Sequence, residues 1–257
     1  MATSEAYPGT QAVLRALALL KAFRDEQPEL SLVELAQTAK LNKTTAYRLL
    51  TALESEGMVI RSGAHDTYRL GPEAIALGGR ASRANALLRV GRPELEALAE
   101  RTRETTTVEI VSEGQALTLD EIPGSYLMGA AQNVGSRWPL HATSTGKVLL
   151  AYMPKAKRQA LLQAPLAALT ARTITSLEAL EVELRQVHEQ GYAIAHEEIE
   201  VGFVAIGAPV RNQHGDVVAA VSVGGPTARL TADKIPELVQ WVRETGDRIS
   251  VKLGYRT

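Results

Sequence analysis

The chain has no cysteine, which excludes a disulfide framework, a thiolate metal site and a cysteine nucleophile. It has no apolar run near the roughly 20 residues that a membrane helix needs. The opening residues, MATSEAYPGT, lack the basic and apolar segments of a signal peptide. A cytoplasmic protein with no membrane partner is expected. Charge of one sign is also missing: the net charge is −1, the pI is near 6.5, and residues 1–70 carry eight Lys/Arg against eight Asp/Glu. Phosphate contacts normally supply much of the affinity for nucleic acid. Any case for DNA must therefore rest on where individual residues stand. What is present is ordinary for a soluble globular protein, with 45 % apolar and 22 % charged residues. A length of 257 residues allows one large domain or two smaller ones, each with its own core.

Residues 10–24 place Val13, Leu17, Leu20 and Phe23 on one helical stripe, with Thr10 as N-cap. After the break DEQPE, the run SLVE at 31–34 has the form of a capping box, Ser31 and Glu34 each serving the other's amide. A short helix to about Ala39 is predicted, then a tight turn at Leu41 and Asn42. Asn42 caps a further helix that runs to Glu56 and stops at Gly57. Beyond Gly57 the period changes to that of two short strands, 58–61 and 67–70, joined by SGAHD. Helix, helix, turn, helix and hairpin is the plan of a winged helix-turn-helix over 8–71.

Residues 72–90 are alanine-rich and read as a linker helix despite Gly78 and Gly79. The remainder, 91–257, alternates patterns. Helices are expected near 93–104, 144–152, 176–190 and 231–252. Strands are expected near 107–112, 116–121, 126–131, 192–197, 203–210 and 217–223. NQHG at 212–215 is a hairpin turn. The class is α+β, an antiparallel sheet covered on one or both faces.

The helix beginning LNKTTAYRLL divides its residues sharply. Ala46, Leu49, Leu50 and Leu53 form an apolar face, while Lys43, Thr44, Thr45, Tyr47 and Arg48 crowd the other. A recognition helix reads base edges from its first turns and packs its opposite face on the preceding helix. Arg48 can fork onto guanine O6 and N7 or grip a phosphate. Thr44, Thr45 and Thr51 suit phosphates or thymine methyls, and Lys43 beside the first amides suits a phosphate. Arg61 and Tyr68 on the wing are placed to reach the adjacent backbone.

Downstream, GSRWPLHATSTGKVLLAYMP at 135–154 offers Gly146-Lys147, but not a phosphate-binding P-loop. His141 holds the required glycine position, and Val148 stands where Ser or Thr should bind magnesium. His141 and Ser144 do not make a hydrolase, for there is no G-x-S-x-G elbow and no evident orienting carboxylate. Thr143, Ser144, Thr145 and Gly146 instead form the first turn of an apolar helix, where outward amides would suit a small carboxylate. His196, Glu197 and Glu198 alternate along a strand, so they do not converge on a metal. His188 is expected in solvent. Trp138 is expected near the pocket or a subunit contact, and Trp241 in the buried stripe of the last helix. No metal or cofactor is called for, and no catalytic residue is assigned.

With these motifs on the page, the chain resembles the IclR family of bacterial transcriptional regulators over nearly its whole length. The resemblance is carried by LSLVELAQTAKLNKTTAYRLLTALESEGMV, by PLHATSTGKVLLA, and by GYAIAHEEIEVGFVAIGAPVRNQHGDVVAAVSVGGP at 191–226. It implies a C-terminal effector domain of GAF-like fold that binds a small organic acid. It also implies a homodimer or tetramer on partly palindromic double-stranded operator DNA. Carried over by position, the pocket would use Ser144, Thr145, Ala195, Ala205, Ser222 and Gly224, beside Gly146 of the same helix start, with Leu127 and Met128 as apolar wall. Family members that bind short oxoacids tend to have an acidic residue and a cysteine where Ala195 and Ala205 stand here. A larger, partly apolar effector follows, aromatic or branched. The competing readings are a sensory or protein-interaction module that does not bind DNA, and an enzyme acting on the bound acid.

Overall fold

Capping chemistry sets the first elements. The computed structural model describes residues 9–24, 27–63, 66–126, 134–162 and 164–256, and the chain divides into two units, Met1–Ala84 and Asn85–Thr257. In the first unit, α1 (Gln11–Leu20) and the two-residue strand β1 (Leu30–Ser31) precede α2 (Leu32–Thr38) and α3 (Lys43–Ser55). The Ser31 hydroxyl accepts from the Glu34 amide, and the Glu34 carboxylate accepts from the Ser31 amide at 2.8 Å, completing the capping box. Asn42 Oδ1 accepts from the Thr45 amide at 2.8 Å and opens α3. The helix ends at Glu56, and Gly57 takes the left-handed conformation, φ +68°. Strands β2 (Val59–Ser62) and β3 (Thr67–Leu70) then form the wing, with β1 on the free side of β3. Helix α4 (Pro72–Ala84) closes the unit.

The core of this unit is Leu19, Leu35, Ala46, Leu50, Val59 and Tyr68. Each fully buried leucine stabilises it by roughly 1.5–3 kcal/mol. The expected stripe on α1 is corrected. Leu19 and Ala22 are buried with Leu20 and Phe23 packed beside them, whereas Val13 and Leu17 are 60 % and 47 % exposed. The run VLRALALL is apolar on too many sides for periodicity to choose its inner face.

The second unit begins where one long helix was expected to continue. Asn85 leaves the helical conformation, and its side chain accepts from the amides of Leu87 and Leu88. A new helix, α5 (Ala86–Thr102), starts there and carries Pro93 in its interior instead of at its start. Next come β4 (Thr105–Ser112), β5 (Gln115–Ile122), β6 (Arg137–Pro139), α6 (Ser144–Ala151), α7 (Lys155–Leu161) and α8 (Leu177–Gln190). Strands β7 (Ala193–His196), β8 (Phe203–Arg211) and β9 (Val217–Pro226) and helix α9 (Ile235–Lys252) complete it. The strand expected near 126–131 lies mostly outside the described residues, and the strand paired beyond β5 is β6. Helix α7 was not expected.

Among the described residues the sheet order is β6-β5-β4-β9-β8-β7, antiparallel throughout. Its hairpin β8–β9 turns at NQHG, where Asn212 Oδ1 accepts from the amides of His214 and Asp216 and Gly215 has φ +84°. The two faces differ in side-chain size. Val108, Val204, Ile206, Val221 and Val223 pack against Leu95 and Leu98 of α5 and Val242 and Ile249 of α9. On the opposite face, period two brings up Thr105, Thr107 and Glu109 on β4, Ser222 and Gly224 on β9, Ala205 and Gly207 on β8, and Ala195 on β7. The alanines, glycines and hydroxyl side chains among them let the start of α6 lie close. A Cβ on Gly207 would stand 3.0 Å from the Ser144 carbonyl carbon, and one on Gly146 would stand 2.3 Å from the Leu140 oxygen.

Candidate DNA interface and effector pocket

Helix α3 presents what its sequence promised. Ala46 and Leu50 have no exposed surface, while Lys43, Thr44, Tyr47, Arg48 and Thr51 are exposed and Thr45 is half-buried. The Thr51 hydroxyl donates to the Tyr47 carbonyl at 3.0 Å. On the wing, Arg61 is exposed, ion-paired with Asp66, and has its guanidinium 5.8 Å from the Tyr68 ring centre. Tyr68 corrects the expectation, because at 2 % exposure it is a core residue and not a backbone contact. Alternation along β3 turns Tyr68 inward and leaves Arg69 exposed. That cation was passed over, though the same period-two count would have found it.

In the second unit Ser144, Thr145, Ala195, Ala205 and Ser222 line one cavity of about 20 Å³. Ala195 pairs with Ala205, and Ala205 with Gly224, so three expected positions form one row across β7, β8 and β9. Gly224 and Gly146 shape the site without lining it. A Cβ at Gly224 would meet the Phe203 ring at 2.8 Å. Leu127 and Met128 lie outside the described residues.

The outward-facing first turn expected for α6 is corrected. Every residue of α6 is buried, and the Thr143 hydroxyl already accepts from the Gly146 amide at 3.1 Å. The amides of Ser144 and Thr145 remain without an intrahelical acceptor. Four further lining residues carry weight: Glu109, Trp138, Ile199 and Phe203. Among the described residues that line the cavity, Glu109 is the one ionisable side chain. Its Oε2 accepts from the Thr145 hydroxyl, and its Oε1 has the hydroxyls of Thr118 and Thr107 at 3.3 and 3.4 Å. Burial pushes its carboxyl above the ordinary value of 4.5, against the lowering effect of those three hydroxyls. Thr107 also stands 2.8 Å from the Ser222 hydroxyl, so a continuous polar floor runs from Ser222 to Thr145. Trp138 lines the pocket as expected, and its buried indole N–H has no hydrogen-bond partner among the described residues.

Lys147 is 1 % exposed. Its ammonium donates to Glu183, Glu198 and the Ile194 carbonyl at 2.8, 2.7 and 2.6 Å. It ties α6 to α8 and to the strand end beyond β7. Burial raises the Glu198 carboxyl, with Lys147 opposing. The His141 ring bonds the Ala167 carbonyl, not Ser144. His196, Glu197 and Glu198 part for a different reason from the one expected. Glu197 has φ +56°, so strand alternation ends there. Arg172 draws both His196 and Glu197, while Glu198 goes to Lys147. His188 is exposed as expected, near the Tyr152 ring. Trp241 is half-buried beneath the Arg101 guanidinium at 4.1 Å. Among the described residues no helix is long and apolar enough to cross a membrane.

Known proteins match both parts of the chain. The family model for the IclR helix-turn-helix domain matches residues 12–63, and that for the bacterial transcriptional regulator IclR C-terminal matches residues 80–251. The HTH-type transcriptional regulator KdgR of Escherichia coli (strain K12) is 33 % identical over 95 % of this chain and 93 % of its own length. The transcriptional repressor IclR of the same organism is 29 % identical over 99 % and 94 %. The solved IclR transcriptional regulator from Alicyclobacillus acidocaldarius superposes with a TM-score of 0.87 at 28 % identity, covering 95 % of this chain and 98 % of that one. An IclR homologue from Microbacterium hydrocarbonoxydans, solved with 4-hydroxybenzoate, gives 0.84 at 28 % over 94 % and 98 %. The chain belongs to the IclR family: it is a DNA-binding transcriptional regulator with a C-terminal effector domain.

Proposed function

We propose that the regulator's affinity for its operator is set by a small organic acid, aromatic or branched, bound at the start of α6. The DNA contacts assigned are Lys43, Thr44, Thr45, Tyr47, Arg48 and Thr51 on α3, with Arg61 and Arg69 on the wing. The observation that carries the DNA reading is the exposed row Lys43, Thr44, Tyr47, Arg48 and Thr51 on the first turns of a helix whose other face is anchored in the core by Ala46 and Leu50. Two such heads, in a homodimer or tetramer, would meet two half-sites about one turn of DNA apart.

In the pocket, the acid's carboxylate meets the amides of Ser144 and Thr145 and the Ser222 hydroxyl. The related protein holding 4-hydroxybenzoate supports the aromatic class. A volume of about 20 Å³ is near the room one water needs, so an acid enters by displacing lining side chains. Ile199 and Phe203 are large, apolar and half-buried, so they have room to yield. Such an opening gives the effector different affinities for two arrangements, the condition for coupling. We place the coupling element at 72–90. Gly78→Pro or Gly79→Pro in α4 should leave effector affinity intact while abolishing its effect on DNA. A normal effector response in either variant counts against that element.

The test is fluorescence anisotropy of DNA from upstream of the protein's own gene, across salt, with wild type and Arg48→Ala. Salt-steep binding that weakens about tenfold or more in the variant, with unchanged circular dichroism, supports the reading. Equal binding by Arg48→Ala removes α3 as the reading helix. The neutral charge balance of residues 1–70 favours a second reading, a head that docks on protein. Absence of salt-dependent binding to any duplex would favour it.

A further inference from the structure

The cavity at the start of α6 holds a buried carboxyl that its surroundings satisfy unevenly. Glu109 Oε2 has one short partner, the Thr145 hydroxyl at 2.5 Å. Oε1 has two distant ones, at 3.3 and 3.4 Å. The more distant hydroxyl, on Thr107, has a closer alternative in Ser222 at 2.8 Å, and a hydroxyl donates only one proton. Oε1 is therefore open to a shorter bond from a donor that arrives with the ligand. Glu109 is 2 % exposed, and among the described residues no cationic side chain lines the cavity. Trp138 also lines the cavity, and its buried N–H has no acceptor among the described residues. Buried polar groups in native proteins are almost always paired; here one acceptor has only long hydrogen bonds, and one donor has none among the described residues.

We infer that Glu109 is the specificity-determining residue of the pocket, and that it selects an effector acid bearing a hydroxyl group, whose O–H donates to Glu109 Oε1. The inference rests on the organic-acid reading above. The acid's carboxylate lies at the Ser144 and Thr145 amides, and the acceptor atoms it leaves over face Trp138. A hydroxyl suits the site better than an ammonium group. The groups that face Glu109 from β5, β9 and α6 are Thr118, Ser222 and Thr145, all uncharged, and burial favours its neutral form. An ammonium there would be a desolvated charge facing a carboxyl whose ionised form burial disfavours.

Isothermal titration of the full-length protein tests this with acids matched in skeleton. The pairs are benzoate against 3- and 4-hydroxybenzoate, phenylacetate against 4-hydroxyphenylacetate, and isovalerate against 2-hydroxyisovalerate, with valine as the amino counterpart. Wild type should prefer the hydroxylated member of at least one pair by about tenfold or more, because a polar site rejects a ligand that leaves it unpaired. In Glu109→Leu that preference should fall to within about twofold. Glu109→Gln, which keeps the shape and weakens the acceptor, should lose at least threefold of the preference; it carries the test if the leucine variant does not fold. Equal affinity within every pair, tighter binding of valine than of 2-hydroxyisovalerate, or a preference that survives both substitutions overturns the inference alone. No heat of binding from any acid, with intact operator binding, overturns the organic-acid reading and this inference with it.

Discussion

Helices α3 and α6 begin alike and end up in opposite surroundings. Each is opened by a polar cap accepting from the third helical amide, Asn42 from Thr45 and Thr143 from Gly146. Each has threonine in its first turn and a cation close behind. On α3 only Ala46 and Leu50 are buried, and Arg48 projects from an open face. On α6 all eight residues are buried, and Lys147 is locked by two carboxylates and a carbonyl. The cap sets where a helix starts. What lies against it decides whether that start is a surface for reading or the wall of a chamber.

The sharpest way to break this contrast is to remove the two cations. Lys147→Ala leaves Glu183 and Glu198 facing each other without a counter-charge, and should cost about 3–5 kcal/mol of effector-domain stability. Arg48→Ala should change stability by less than about 0.5 kcal/mol while weakening operator binding. Thermal melts beside anisotropy would show the two losses exchanged. If Lys147→Ala melts like wild type, the buried cluster does not hold α6 in place.

Proton chemistry separates the helices next. Burial raises the carboxyl of Glu109 beside α6, so its stabilising contribution is complete below its ordinary value of 4.5 and is lost as pH rises. Glu109→Gln should therefore raise the melting temperature at pH 8 by about 2–4 °C and have little effect near pH 5. A gain that is the same at both values would show that Glu109 does not titrate differently in the folded protein. The smallest effects belong to the caps. Asn42→Ala and Thr143→Ala should each cost about 1 kcal/mol, read by denaturant titration. Only the second should also alter acid binding.

The contrast also marks where sequence patterns stopped being informative. The capping box at Ser31, the cap at Asn42, the stop at Gly57 and the NQHG turn all depend on residues within a few positions, and each stands as expected. The faces of α3 were legible because polar and apolar residues separate cleanly there. On α1 they do not separate, and its stripe was misassigned. Tyr68 was misjudged because a phenol is equally plausible in a core and on a surface, and only the pleat of β3 decides. The row Ala195, Ala205 and Gly224 came from resemblance. Glu109 was missed because its importance depends on β4 lying beside β9 and beneath α6, a long-range fact with no local sign beyond the alternation in TTTVEIV.

That row has a further consequence. Alanine and glycine are the smallest residues available, so nearly any mutation at these three positions adds volume on a face that already meets the start of α6. Gly224 is the tightest, with Phe203 in the way. Ala195 and Ala205 carry no hydrogen bond through their side chains and do not hold the sheet together by bulk. Evolution, or a designer of metabolite sensors, can therefore retune which molecule is detected by single codon changes at 195 and 205, while the reading head and the sheet keep their own sequences.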